Sequence, residues 1–264
     1  MLLQCGIDAA RAAGEARHSA WWLRPETLET LAELNELGLK LLAQQAALHG
    51  AQAAPLLREI AVLAPKLDPQ ALRRAAACPC LLLDAGFTDA TRWRSAPPGQ
   101  VGEAAAAAAA GAAYFTVPAT VEVARLVLTF AWHLARTQLG AARLLLGMPA
   151  ACAGSIAALT LRRVYALAER HPEWLRPRWL GRPQVWRELL TAADAGEPRA
   201  LEQAHMHGLT LLAAEVRAAA EASATVALPP APLAPAGRAA AGMRLISPAG
   251  TASTAPSPRS PARP

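Results

Sequence analysis

The chain predicts an all-α protein, on three observations. Its long segments are rich in Ala, Leu, Arg, Glu and Gln, residues that favour helix by propensity. Aromatic residues make up only 5% of the chain, with three Phe and two Tyr. Runs of Val, Ile, Thr and aromatics alternating at period two, which mark half-buried strands, are nearly missing. At 264 residues the chain is long enough for one large domain or two small ones.

Pro25 fits the first turn of a helix that reaches about His49, where Gly50 stops it. Leu28, Leu31, Leu34, Leu37, Leu41 and Leu48 recur at helical steps along it and form one apolar stripe. A second helix is expected from Ala54 to Ala64, ended by Pro65. Asp68 caps a third, which opens with Pro69 and runs to about Ala77. The CPCLLLD stretch at 78–84 reads as a short buried strand or an extended connector, and Pro79 restricts it to an edge.

From 96 to 116 the composition is that of a linker. Pro97-Pro98-Gly99 breaks structure, and seven alanines follow from Ala104. A helix from Pro118 to about Leu139 comes next, with Gly140 placed to bend or interrupt its continuation to Leu146. Gly147 and Pro149 mark a turn. A short helix covers 150–159, and Thr160 caps another over Leu161–His171, terminated by Pro172. Pro183 and Pro198 each open a further helix. The expected organisation is an N-terminal helical region (20–95), a linker (96–116), a C-terminal helical region (117–222) and a disordered Pro- and Ala-rich tail (223–264).

The net charge of +6 is unevenly placed. The tail contains no Asp or Glu and holds Arg238, Arg244, Arg259 and Arg263. Without those four, 22 basic residues face 20 acidic ones. Only a local patch, not the whole surface, has the charge to bind nucleic acid.

Several function classes find no support. There is no GxSxG, Walker loop, GxGxxG or HExxH, so the chain is not expected to be an enzyme. Cys78 and Cys80 lack a second ligand pair at zinc-site spacing, and buried free thiols in a reducing cytosol are expected instead. His205 and His207 diverge by about 200° on a helix, which a single metal ion accommodates poorly. Neither a cofactor nor a metal is predicted. The N-terminus lacks a basic segment followed by an apolar core, so no signal peptide is expected. The uncharged stretches 104–121 and 144–161 are too rich in Ala and Gly to favour lipid. The reading is a cytoplasmic protein without a membrane partner.

The most specific chemistry lies between Phe130 and Trp179. Leu161, Val164, Leu167 and Ala168 form the apolar face of one short helix, leaving Arg162, Arg163 and Arg170 outward. Arg176 and Arg178 follow, interleaved with Trp174, Trp179 and Trp186. Guanidinium groups bind phosphate bidentately and read guanine edges, and indoles stack on bases or anchor protein interfaces.

The same stretch resembles a known family. Ala131, Leu134, Arg136, Ala142, Leu146-Gly147, Ala153, Ala158-Leu159-Thr160-Leu161 and Leu167-Ala168-Glu169 coincide without gaps with the helical core of the flagellar transcriptional regulator subunit FlhD. Arg178-Trp179 falls where that family has an aromatic-flanked arginine. The resemblance covers 130–179 and implies an all-helical, dimer-forming subunit that binds promoter DNA well only with a zinc-bearing partner, FlhC.

Two expectations follow. The first is a transcriptional regulator acting through the helix pair around Thr160, on duplex DNA, as a homodimer or with a second regulator subunit. In it Arg162, Arg163, Arg170, Arg176 and Arg178 contact nucleic acid, and Trp174, Trp179 and Trp186 contact the partner. The alternative is a helical adaptor whose tryptophans and N-terminal leucine stripe dock other proteins without nucleic acid.

Overall fold

A computed structural model describes residues 23–49, 54–94 and 113–227. The expected all-α architecture is what these residues form. The helices are α1 (Pro25–His49), α2 (Pro55–Leu63), α3 (Pro69–Ala76), α4 (Ala90–Arg94), α5 (Thr120–Thr137), α6 (Leu139–Leu146), α7 (Ala150–Ala157), α8 (Leu161–Arg170), α9 (Pro183–Ala195) and α10 (Pro198–Ala227). Five of them begin on proline, whose missing N–H costs nothing in a first turn. Among the described residues the only β pairing is between β1 (Leu83–Asp84) and β2 (Arg176–Pro177), antiparallel with Leu83 opposite Pro177. The CPCLLLD stretch therefore ends as a two-residue strand, with Leu81, Leu82 and Leu83 fully buried.

The two helical regions of the sequence share one core. A single cluster of buried side chains runs from Leu31 through Leu134 and Trp186 to Leu212. The helix α9 packs on α2, α3 and α10, while α5 carries α1, α6, α7 and α8. Arg74 Nε donates to Ala193 O at 2.7 Å, and Arg187 pairs with Glu59, so α9 is also tied to the N-terminal helices by polar contacts. Each fully buried Leu or Ile contributes about 1.5–3 kcal/mol by leaving water.

The last residues assigned by sequence to the linker belong to this core. Phe115 is buried, and Gln45 of α1 donates to Tyr114 O (2.9 Å) and accepts from Thr116 N (2.9 Å). Residues 96–112 lie outside the described part. At the other end, α10 continues to Ala227, past the expected boundary at 222, and residues 228–264 lie outside the described part.

Two polar side chains lock the interior. Asn35 is fully buried on α1. Its amide faces Ala76 O, Cys78 O and Cys80 O at 3.0–3.2 Å, and its Oδ1 accepts from Leu82 N at 2.8 Å. The turn after α3 is thus satisfied by a side chain where the backbone has no regular partner. Arg178, equally enclosed, does the same for Leu81 O and Leu146 O.

No single helix among the described residues is long and apolar enough to cross a membrane. The uncharged run at 144–161 is split between α6 and α7, which bend by 119° across Gly147-Pro149. Gly147 stands at φ +61°, a left-handed conformation that ends α6 and suits glycine.

Candidate functional site

The short turn Ala158–Thr160 joins α7 to α8. Thr160 caps α8 as expected, its Oγ1 accepting from Arg163 N at 3.3 Å. Trp132 Nε1 of α5 donates to Leu159 O at 2.8 Å and fixes the turn on α5. Val164, Leu167 and Ala168 are buried against α5, so the opposite side of α8 faces outward.

That outward side carries less free charge than the sequence suggests. Arg162 and Arg170 are exposed, and Arg163 is half-buried. Glu169, between them, takes Arg125 of α5 at 3.0 Å. Glu173 takes His171 at 2.9 Å. Arg176 is half-buried in β2.

Arg178 does not belong to this face. It is only 3% exposed, and its Nε and Nη2 donate to Leu81 O (2.7 Å) and Leu146 O (2.5 Å). Its guanidinium also lies 3.5 Å from Glu215 and 3.8 Å from Asp84. The cause is the β1–β2 bridge. Arg178 N donates to Leu82 O at 2.9 Å, which lays this extended segment along 81–84 and turns the side chain inward. Half-burial pushes the Glu215 carboxyl up, and the positive charge of Arg178 works against that rise.

The three tryptophans are not one exposed anchor face either. Trp186 is fully buried and donates from Nε1 to Arg178 O at 2.9 Å. Trp179 is 7% exposed, packs near Trp186 with ring centroids 6.4 Å apart, and covers Gly208. A Cβ on Gly208 would lie 2.9 Å from the Trp179 ring, so glycine permits that approach. Trp174 is half-buried, stacked on His171 at 4.5 Å and edge-on to Trp93 at 5.5 Å, with Arg92 5.0 Å above it. Trp179 and Trp186 are therefore interior scaffolding, and Trp174 is half-buried in an aromatic cluster.

The N-terminal leucine stripe is also largely interior, since Leu31, Leu34 and Leu41 are buried. One edge of it opens, however, into a groove of about 900 Å³ between the first half of α1 and α5. Leu34, Leu37, Leu126, Phe130, Trp132 and Leu161 supply its apolar lining. Leu126 and Leu161 are each 39% exposed there, although both are aliphatic. Arg24, at the end of the groove, and the carboxylates Glu26 and Glu33 line its α1 side, and His133 lines its α5 side; exposed Glu29, beside the groove and toward Arg73, completes a row of three carboxylates with Glu26 and Glu33. None of these three forms an ion pair with another described residue, whereas Glu36 of the same stripe holds Lys40.

Residues 26, 29 and 33 have helical spacing, and that acidic stripe was readable in the sequence. What the sequence does not supply is the helix that faces it, because α1 and α5 are brought together by tertiary packing. The chain matches no family model, no curated protein and no solved structure.

Proposed function

We propose that this protein is a helical adaptor that seats an amphipathic helix of a partner protein in the α1–α5 groove. One observation carries the reading: an apolar trough flanked by unpaired carboxylates on one rim. Helix-in-groove recognition uses apolar anchors at positions i, i+3, i+4 and i+7 of the ligand helix. From Arg24 to Leu37 the groove follows α1 for roughly 20 Å at 1.5 Å per residue, enough for three to four turns. Glu26, Glu29 and Glu33 select a ligand whose edge carries Lys or Arg. Their charge speeds encounter and sets orientation more than it adds affinity.

The probe is a synthetic amphipathic peptide with leucines at helical spacing and lysines along one edge, labelled for fluorescence anisotropy. It is expected to bind the full chain. Leu126→Asp together with Leu161→Asp weakens binding by more than about tenfold, since anchor positions carry most interface energy. Replacing Glu26, Glu29 and Glu33 with Gln lowers the association rate and its salt dependence. Equal binding of a peptide with glutamates in place of lysines, or indifference to the leucine changes, refutes the reading.

A second reading keeps the nucleic-acid expectation on a smaller base. It rests on exposed Arg162 and Arg170, which have no carboxylate partner among the described residues, and on the FlhD resemblance of 130–179. Duplex DNA binding that falls steeply with salt, and whose slope Arg162→Ala with Arg170→Ala reduces by about two phosphate contacts, supports it. Absence of DNA binding at low salt removes it.

A further inference from the structure

The groove leaves one cluster of reactive groups unused. Cys78 and Cys80 flank Pro79 at the end of α3, with their Sγ atoms 3.6 Å apart and both side chains buried. Asn35 holds the backbone of this turn from α1 through Cys78 O and Cys80 O. Arg178 holds it from the other side through Leu81 O. The turn lies just under the surface, since Ala77 is exposed and Pro79 half-buried.

The two sulfurs sit in unequal settings. Cys78 is held below the usual thiol range, first by the hydrogen bond from Cys80 and also by the positive charge of Arg178. Cys80 is pushed well above it, first by its hydrogen bond with Cys78 and then by burial. Cys152 offers a contrast in the same molecule, its thiol being pushed up to about 11 by burial. Two thiols in contact, one more readily deprotonated than the other, have the arrangement of an attacking and a resolving cysteine.

We propose that Cys78 and Cys80 form a redox dithiol that exchanges two electrons with low-molecular-weight disulfides. In the first step the turn opens, and Cys78, otherwise 3% exposed, loses its proton to solvent and attacks one sulfur of R–S–S–R. A Cys78–S–S–R bond forms, the R–S–S–R bond breaks, and R–S⁻ leaves and takes a proton. Cys80 then attacks Cys78 Sγ, and its proton passes to the second R–S⁻ as that group leaves. The protein dithiol becomes a disulfide and the small disulfide becomes two thiols. Closure draws the sulfurs from 3.6 Å to about 2.05 Å.

The test uses the reduced full chain in a series of glutathione and glutathione-disulfide buffers, with thiols then blocked and peptides mapped by mass. The expected product is a Cys78–Cys80 peptide lighter by two hydrogens, forming in one transition while Cys152 remains a thiol. Cys80→Ser traps glutathione on Cys78. Cys78→Ser slows glutathione uptake at Cys80 by more than tenfold. Circular dichroism of each sample establishes that the chain is folded. The proposal is overturned if the disulfide forms only in urea that unfolds the protein, if Cys78 pairs instead with another cysteine, or if Cys80 is captured as fast as Cys78.

Discussion

Replacing Arg178 tests the separation of the basic segment into an interior part and a surface part. Arg178→Ala leaves Leu81 O and Leu146 O without their donors in the core. A buried polar group left unsatisfied costs about 1–3 kcal/mol, so two such carbonyls cost about 3 kcal/mol. Glu215 also loses its cation, but its side chain is 40% exposed, and solvent screening keeps that share below about 1 kcal/mol. The expected loss is about 3–4 kcal/mol, more than a hundredfold in the unfolding constant. Urea unfolding followed by circular dichroism measures it. Arg162→Ala, at an exposed position, is expected to stay within about 0.5 kcal/mol of the parent chain. Similar small effects for both variants would refute the interior placement of Arg178 and return it to the surface.

Other positions give sharper local expectations. Asn35→Leu removes the donor to three carbonyls and the acceptor for Leu82 N, and urea unfolding should show a loss of about 3 kcal/mol or more. Thr160→Ala deletes the α8 cap and should cost about 1 kcal/mol in the same assay, with Thr160→Ser restoring most of it. His205 is half-buried, with a buried Nε2 that has no hydrogen-bond partner, and burial holds its pKa below the usual value. Its neutral form is favoured in the fold, so stability is full above about 6.5 and falls as pH drops toward the lower folded pKa. Thermal melts from pH 7.5 to 5 should show that loss, and His205→Gln should reduce it.

The helices were legible because their boundaries are local chemistry. Pro25, Pro69, Pro183 and Pro198 announce first turns, Asp68 and Thr160 supply caps, and Gly147 ends α6. None of these depends on distant residues. The basic segment was misread where long-range pairing decides. Arg162 and Arg178 look alike in sequence, but one lies on an amphipathic helix and the other follows a strand bonded to residues far upstream. The tryptophans follow the same logic. Trp179 and Trp186 pack with each other and with α10, which no periodicity within 170–190 reveals. The groove was hidden for a related reason. Its acidic rim has helical spacing on α1, whereas Leu126, Phe130 and Leu161 come from α5 and α8, and only packing sets them across from it.

Hydrogen exchange with and without the lysine-edged peptide tests the adaptor reading most directly. Slowed exchange confined to the N-terminal half of α1, the middle of α5 and the start of α8 is the predicted result. Protection centred on Arg170 and the outward side of α8, or no protection at saturating peptide, would contradict it.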